Sequence, residues 1–317
     1  MKNTLKCLVS GALALLLLTG CAARQAEPAA VPSATPTATP QVTATPVPTP
    51  EPTPEPTPIL KKSEDVVNVL IVGEDALMEG ETESRADLCM IVAYDRKKNQ
   101  AKLISVMRDT WVPIEGHGED CINQAYAYGG IELLMQTLNE VYDLGIEQYV
   151  VTGYDGFKGI IDQIGGLELS LTQEDAQYLA QMMGKKVEEG MVEMDSEMAL
   201  HYARNLLGDL SDVGNNQRQK EIILAVLSRL KSQGDLSDYM AVINCGLKNV
   251  ETNMAAGDVV QLGLAVLQAQ EMDAEYFYLP YEGTWTTVQK GEKSVRMADF
   301  EKNKQLLWEF INEEAAE

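Results

Sequence analysis

The chain has 317 residues and carries 48 acidic against 25 basic side chains, which gives a formal net charge of −23. Such an acidic chain argues against nucleic acid as a partner and against broad docking on anionic lipid head groups, because both would be repelled. The charges up to residue 60 cancel, so the acidic excess lies in the rest of the chain, where a local cationic pocket would stand out.

Residues 1–20 are predicted to be a signal peptide. Two lysines precede an apolar run from Leu8 to Leu18, which is too short for an ordinary transmembrane helix. The segment Leu18-Thr19-Gly20-Cys21 then matches the bacterial lipobox, in which the cysteine after the cleavage site carries lipid. We therefore expect the chain to be exported and held on the outer face of the membrane by several acyl chains on Cys21. An ordinary signal-peptide cysteine is the alternative.

Residues 21–60 are predicted to be a lipid-anchored linker. From Glu27 to Pro58 the chain repeats proline and threonine without apolar periodicity, so this segment cannot bury a core and favours polyproline II. At about 3.1 Å per residue, such a linker would hold the following domain on the order of 100 Å from the membrane.

Residues 61–317 are predicted to form one globular domain. Strand and helix patterns are mixed along this region with no separating linker and no repeat, which favours an α/β sandwich with helices on both faces of the sheet. Strands are predicted over residues 68–73, 88–94, 102–106, 148–153, 167–171, 276–279 and 284–288, and helices over residues 131–141, 156–164, 173–183, 195–204, 217–231, 236–248, 256–270 and 298–311.

Three cysteines remain in the globular region, namely Cys89, Cys121 and Cys245. An odd number gives no disulfide framework, and no cysteine–histidine spacing indicates a zinc site. Because Cys89 lies inside an apolar strand, it is interpreted as a small buried hydrophobic residue.

Polar clusters interrupt the pattern at the ends of three predicted strands. These clusters are Gly73-Glu74-Asp75, Ser84-Arg85-Ala86-Asp87 and Arg108-Asp109-Thr110. If the strands are neighbours, carboxylates and guanidinium groups meet at the mouth of the sheet, where α/β proteins often bind ligands. Carboxylates suit Mg²⁺ and arginines suit phosphate, so this set is typical of a phosphate site. Turn-capping aspartates and surface ion pairs are the alternative.

A second polar region begins at Arg204 and continues to Arg218 and Gln219 at the start of a predicted helix. Hydrogen-bond donors at a helix start favour an anion. An ordinary solvated first turn is the alternative.

Eight segments, taken in this order, resemble the LytR-CpsA-Psr (LCP) family of cell-envelope glycopolymer transferases. Each segment is weak evidence by itself, but the ordered set is specific and extends from about Val66 to Leu230. The segments are Asn68-Val-Leu-Ile-Val-Gly-Glu-Asp75, Arg85-Ala-Asp87, Ser105-Val-Met-Arg-Asp-Thr110, Ile122-Asn-Gln-Ala-Tyr-Ala-Tyr-Gly-Gly130, Gly156-Phe-Lys-Gly-Ile-Ile-Asp162, Ile164-Gly-Gly-Leu-Glu168, Ala199-Leu-His-Tyr-Ala-Arg204 and Arg218-Gln219.

The resemblance implies an α/β/α sandwich with a central mixed sheet and an apolar tunnel that binds a polyprenyl chain. It further implies a Mg²⁺-assisted enzyme that transfers a wall polymer, such as teichoic acid or capsule, from a polyprenyl-pyrophosphate carrier to peptidoglycan. The expected location is the outer face of the cytoplasmic membrane of a Gram-positive bacterium.

The resemblance also implies roles for individual residues. Asp75 and Asp87 would hold Mg²⁺, and Asp109 would either orient Arg108 or assist deprotonation of the acceptor hydroxyl. No protein nucleophile is needed for such phosphoryl transfer, and with two histidines in the chain a histidine-based triad is not expected. The residues implied to bind the pyrophosphate are Arg85, Arg108, Arg204, Arg218 and, in support, Gln219.

Three departures from the family pattern each remove a cation. Leu206 and Asn215 stand where the family usually has arginine, and Cys121 stands where it commonly has lysine. Charge-assisted hydrogen bonds contribute roughly 1.5–3 kcal/mol each, so the losses would weaken pyrophosphate binding. Three hypotheses therefore stay open: a transferase of full or reduced activity, a non-catalytic lipoprotein that binds polyprenyl phosphate or wall polymer, and a hydrolase that releases polyprenyl phosphate.

Overall fold

The computed structural model describes residues 65–74, 84–205, 212–233, 236–268 and 276–312. The predicted signal peptide, Cys21 and the linker lie outside the described residues, as do Asp75 and Leu206. Among the described residues, no helix combines the length and the apolar character needed to cross a bilayer.

Twelve strands and eight helices make up the described part of the chain. The strands are β1 (Val66–Glu74), β2 (Ala86–Asp95), β3 (Gln100–Val106), β4 (Trp111–Ile114), β5 (Gly118–Cys121), β6 (Gln148–Thr152), β7 (Leu167–Leu171), β8 (Gly190–Met194), β9 (Val250–Thr252), β10 (Tyr276–Leu279), β11 (Trp285–Lys290) and β12 (Lys293–Ala298). The helices are α1 (Gln124–Tyr142), α2 (Tyr154–Gln163), α3 (Gln173–Met183), α4 (Ser196–Ala203), α5 (Asp212–Gln233), α6 (Leu236–Lys248), α7 (Ala256–Gln268) and α8 (Phe300–Asn312).

A six-stranded mixed sheet forms the centre, in the order β10-β3-β2-β1-β6-β9. The β1–β6 and β3–β10 pairs are parallel, whereas the β1–β2, β2–β3 and β6–β9 pairs are antiparallel. Consequently β1, β3 and β6 end at one edge of the sheet, and β2 begins there. Three two-stranded sheets, β4–β5, β7–β8 and β11–β12, lie outside this sheet.

Alternate side chains of the sheet enter two different cores, as the period of two in a strand requires. Leu70, Ile91 and Ile104 pack on one face with residues of α1 and α8. Val69, Met90 and Leu103 pack on the other face with residues of α5 and α7. Helices therefore cover both faces, and the predicted α/β/α sandwich is confirmed.

A third core holds the antiparallel β7–β8 pair and the helices around it. Leu167 of β7 and Met194 of β8 pack with Leu179 of α3 and Tyr202 of α4. Ile222 of α5 belongs to the same cluster, so α5 joins this core to the central sheet. The arrangement places α3, α4 and α5 beside the sheet edge at which β1, β3 and β6 end.

Most predicted elements are present, and the differences have local causes. Helix α1 begins seven residues before the predicted 131–141 helix, because two helical segments join across a kink at Gly129 and Gly130. Gly130 has φ 66°, a conformation that glycine adopts without strain. The strands missed from the sequence are short or polar, which leaves little alternation to detect; they are β4, β5, β8, β9 and β12.

A β-bulge interrupts the β1–β2 ladder at the edge where β1 ends. Gly73 pairs with Leu88 and Glu74 pairs with Ala86, so Asp87 is left between the two rungs. Its neighbours pack on opposite faces of the sheet, Ala86 with the α1 side and Leu88 with the α5 side. Bulges of this kind redirect a side chain, and here the redirected residue is Asp87.

Replacing Gly156 with alanine is expected to destabilise the fold by about 1–3 kcal/mol through overpacking. A Cβ at this position in α2 would run into Thr152 Oγ1 and come within 3.1 Å of the backbone oxygen of Asn249. Gly257→Ala in α7 is the matched control, because a Cβ there meets no atom within 4 Å. In urea unfolding, Gly156→Ala should lower the free energy of unfolding, whereas Gly257→Ala should raise it by about 0.4–1 kcal/mol. Equal effects would contradict the close approach at Gly156.

Candidate functional site

A cavity of about 600 Å³ opens at the sheet edge where β1, β3 and β6 end. Its walls come from the ends of these strands, from the start of β2 and from the helices α1 to α5. Three of the arginines predicted to bind pyrophosphate line it, namely Arg85, Arg108 and Arg204. The convergence predicted from strand-end residues is therefore observed for Glu74, Arg85, Asp87 and Arg108.

Arg108 and Asp87 form an ion pair within the cavity wall. Arg108 NH1 donates to Asp87 Oδ1 at 3.2 Å, and both side chains are about a quarter exposed, at 25% and 29%. The pair joins the residues after β3 to the bulge at the start of β2. Arg85, two residues before Asp87, is exposed and lines the same cavity.

Arg204 also lines the cavity, and it follows the last residue of α4. Its guanidinium carbon is 4.7 Å from the centroid of the Tyr154 ring, in a cation–π arrangement that orients the group. His201, one turn earlier in α4, also lines the cavity, and its Nε2 is 3.6 Å from Glu197 Oε1. Tyr178 of α3 stands beside them, and burial raises the pKa of its phenol.

Gln219 and the start of α2 complete the polar wall. Gln219 Nε2 lies 3.4 Å from the backbone oxygen of Asp87, to which it donates. Its Oε1 is buried without a hydrogen-bond partner among the described residues. Gly153 caps α2, whose N-terminal end therefore faces the cavity with its positive dipole end.

Glu74 is a cavity residue that was not assigned a role from the sequence. It ends β1 and accepts a hydrogen bond of 3.1 Å from the hydroxyl of Tyr126 in α1. Burial and the Glu74 charge both raise the pKa of Tyr126, which keeps the phenol protonated as the donor. The partner lies 52 residues away in sequence, so the pair could be found only once α1 had been packed on the sheet.

The cavity also has an apolar wall. The side chains that form this wall are Leu88, Phe157, Met182, Leu200, Ala203, Ile222 and Ile223. These residues come from one strand and four helices, so the wall depends on tertiary packing. A cavity that combines guanidinium groups with an apolar wall suits an amphiphilic ligand with an anionic head.

Two residues predicted for the site are engaged elsewhere. Arg218 is largely buried behind the cavity wall, where its Nε is 2.9 Å from Asp175 Oδ1 and its NH1 donates to the backbone oxygen of Asn205 at 3.0 Å. Asp109 does not line the cavity and forms an ion pair with the buried Arg296 of β12. The backbone N–H of Arg296 also donates to the Asp109 carbonyl at 3.0 Å, so this contact fixes the segment that follows Arg108.

The carboxylates at the cavity are candidate ligands for Mg²⁺. The described residues contain no cluster of three or more metal-ligating side chains. Mg²⁺ nevertheless uses only one or two protein carboxylates when substrate phosphates supply further oxygens. Asp87 is aimed into the cavity by the bulge, and Glu74 stands at the end of the neighbouring strand. The donor set therefore fits Mg²⁺ bound together with a phosphate ligand, whereas Asp75 lies outside the described residues.

The described cysteines, Cys89, Cys121 and Cys245, do not line this cavity. Cys89 is buried in β2, and burial raises its pKa to about 12, so the thiol stays protonated and unreactive. Its interpretation as a buried hydrophobic residue is confirmed. Cys121 is buried as well, and Cys245 is partly exposed.

Comparison with known proteins shows which family has this architecture. The chain is 31% identical over 205 residues to "Polyisoprenyl-teichoic acid–peptidoglycan teichoic acid transferase TagT" of Bacillus subtilis (strain 168), which covers 63% of each protein. It is 33% identical over 197 residues to the corresponding transferase TagU of Bacillus mycoides (strain KBAB4), which covers 62% of each. The matches thus span about 63% of the length of these curated relatives.

Solved structures share the fold. TagT bound to LIIa-WTA superimposes with a TM-score of 0.64 at 25% identity, over 78% of this chain and 90% of that one. TagT with bound octaprenyl pyrophosphate lipid gives a TM-score of 0.60 at 23% identity, over 78% and 91%. The model of the LytR_cpsA_psr family matches residues 34–306. The chain therefore belongs to the LytR-CpsA-Psr family, as its ordered segments suggested.

Proposed function

We propose that this protein transfers a wall glycopolymer from a polyprenyl-pyrophosphate carrier to peptidoglycan. One observation carries the proposal, namely the cavity with arginines at the sheet edge and an apolar wall beside them. The names of the curated relatives support it, since they describe transfer of teichoic acid from a polyisoprenyl carrier to peptidoglycan.

The carrier's two chemical parts match the two sides of the cavity. The apolar wall of α2 to α5 residues receives the hydrocarbon chain, because burying it removes apolar surface from water. Arg85, Arg108 and Arg204 bind the pyrophosphate oxygens, and guanidinium groups do so in bidentate fashion. This places the scissile phosphate at the sheet edge.

The reaction at that phosphate is a substitution. A sugar hydroxyl of the acceptor attacks the phosphorus on the polymer side, the bond to the bridging oxygen breaks, and polyprenyl phosphate leaves. The arginines stabilise the charge that grows on the phosphoryl and leaving oxygens. The hydroxyl proton passes to Glu74, the described cavity carboxylate that this proposal does not assign to the metal.

Asp87, with Asp75 from the segment after β1, is proposed to hold Mg²⁺ against the pyrophosphate. When bound, the metal supplies positive charge to the phosphate oxygens. Arg108 would then exchange its contact with Asp87 for one with a phosphate oxygen, since both accept the same guanidinium hydrogen bonds.

Asp87→Asn is expected to lower the rate of transfer at least about tenfold. Losing a residue that only supports a metal ligand already costs that much, and Asp87 is proposed to contact the metal itself. The dependence on Mg²⁺ should shift to higher concentration, because the amide carries no charge. The assay incubates the full chain in detergent with a polyprenyl-pyrophosphate sugar, peptidoglycan oligomers and a Mg²⁺ series, and measures linked product. Glu168→Gln, an exposed carboxylate of β7, is the control. An unchanged Mg²⁺ dependence in Asp87→Asn would contradict the metal role.

A second candidate function is a lipoprotein that binds polyprenyl phosphate or wall polymer without reacting. One observation favours it: Arg218, implied to be a clamp, is used in a buried pair behind the wall. The same transfer assay separates the two candidates. Bound carrier without linked product, at any Mg²⁺ concentration, would support the binder and overturn the transferase.

We also propose that Cys21 carries the lipid anchor. Anchor and linker would keep the domain near the membrane that holds the carrier while allowing it to reach the wall. Mass spectrometry of the purified chain should find a diacylated or triacylated N-terminal cysteine, and an unmodified chain beginning elsewhere would contradict the anchor.

A further inference from the structure

Two exposed aromatic side chains stack face to face near the cavity, so that a sugar can meet an outer ring face of the stack. His117 at the tip of the β4–β5 hairpin stacks on Tyr128 of α1, with ring centroids 4.4 Å apart and ring planes at 4° to each other. Both residues are exposed, Tyr128 at 39%. We call this pair the aromatic platform.

The surrounding contacts hold the platform rigid. Tyr128 donates its hydroxyl hydrogen to Asp120 Oδ2 at 2.9 Å, and Lys293 Nζ is 2.6 Å from Asp120 Oδ1. Although burial acts to raise it, the pKa of Asp120 lies below its usual value because Lys293, the Cys121 N–H and Tyr128 donate to the carboxylate. Asp120 therefore stays ionised and fixes the plane of the Tyr128 ring.

The platform lies next to the proposed reaction centre. Gln124 lines the cavity, and Tyr128 follows it in α1 by four residues, which is one turn or about 6 Å along the same side of the helix. The β4–β5 hairpin also adjoins the cavity. The residues that flank it, Arg108 and Asn123, both line the cavity, and the Asn123 N–H donates to the Arg108 carbonyl at 3.3 Å. A chain of sugars seated on the platform can therefore extend to the cavity mouth.

The chemistry of the platform favours an uncharged sugar. Polarised C–H bonds on the face of a pyranose ring pack against the negative face of an aromatic ring. Glu115 and Glu119 are exposed on either side of His117, so an anionic polymer would be repelled from this surface. Two rings also offer far less area than the roughly 800 Å² per partner of a stable protein interface.

We propose that the aromatic platform binds the neutral, N-acetylated amino-sugar backbone of the acceptor glycan, next to the sugar whose hydroxyl is to be modified. This inference rests on the proposed transfer function for its role, but binding at the platform can be measured without transfer.

The test is a titration of the full chain in detergent with a hexamer of β-1,4-linked N-acetylglucosamine, in the absence of any carrier. Replacing both His117 and Tyr128 by serine should weaken binding about tenfold, or ~1.4 kcal/mol. Tyr128→Phe keeps the ring stacked on His117 and should retain most of the binding, and a urea unfolding transition like that of the wild type guards against misfolding of the double variant as the cause. Trp308→Gln, an exposed aromatic of α8, is the control and should bind as the wild type does.

In the transfer assay, the double variant should show a raised KM for the acceptor, with kcat and the affinity for the carrier unchanged. If no variant transfers polymer yet the double variant alone loses the hexamer, the transferase proposal fails and the glycan platform stands. If the wild type does not bind the hexamer at millimolar concentration, or the double variant binds it equally well, the platform proposal is overturned. Displacement of the hexamer by poly(glycerol phosphate) would overturn it too.

Discussion

Arg108→Ala is expected to reduce transfer by about 10²–10³-fold, which is the usual cost of removing one preorganised donor from a developing negative charge. Arg108 stands in the cavity wall and contacts Asp87, so its removal takes away a phosphate donor and leaves that carboxylate without this partner. Both effects place more negative charge next to the pyrophosphate.

The size of the loss separates charge from geometry. Arg108→Lys keeps the charge but not the planar fork, so its rate should fall between those of the wild type and Arg108→Ala. Arg96→Ala is the control, because Arg96 lies exposed in the turn between β2 and β3. Initial rates of linked product, with carrier binding measured separately, provide the comparison. Weakened carrier binding without a fall in the rate at saturation would indicate a binding role alone.

Arg218→Met is expected to destabilise the protein by about 3 kcal/mol, at the lower end of the range for breaking a buried ion pair. Asp175 is 4% exposed and would lose its guanidinium partner in a buried environment. The loss is moderated because Asp175 keeps hydrogen bonds from Asn205 Nδ2 at 2.9 Å and from Thr172 Oγ1 at 2.6 Å.

Urea unfolding of Arg218→Met and of the double variant Arg218→Met with Asp175→Asn measures this effect. The second substitution should restore part of the stability, since a neutral amide is less costly to bury than an unpaired carboxylate. Arg229→Met on the same helix is the matched control, because its partner Glu193 is 64% exposed, and it should cost below about 1 kcal/mol. A folded Arg218→Met protein that has lost transfer as completely as Arg108→Ala would instead place Arg218 on the phosphate.

The part of the site made by strand ends could be predicted from the sequence. Arg85, Asp87 and Arg108 adjoin predicted strands, and neighbouring strands bring such residues to one edge of the sheet. Nearly continuous apolar runs also predicted the longer strands, because burial on both faces of the sheet requires apolar residues at successive positions, and apolar residues at helical spacing predicted the helices.

What could not be predicted depends on contacts between distant segments. Helix α5 begins at Asp212, so Arg218 lies beyond its first turn and not at a helix start as predicted. The direction of Arg218 is decided by Asp175, which lies 43 residues earlier in α3. Asp109 likewise turns to Arg296 because β12 runs beside the segment after β3, and the single bridge between Thr110 and Arg296 leaves no local pattern. The short hairpin that carries His117 contains too few alternating residues to be recognised.

The bulge at Asp87 has a consequence for engineering this protein. A ladder without that residue would pair Gly73 with Leu88 and Glu74 with Ala86 in regular succession, so the sheet itself has no need of Asp87. Selection for thermal stability alone would therefore favour closing the ladder, and activity would be lost with the redirected carboxylate. Stabilising substitutions are better sought in open positions such as Gly257, far along the chain from the irregular rung.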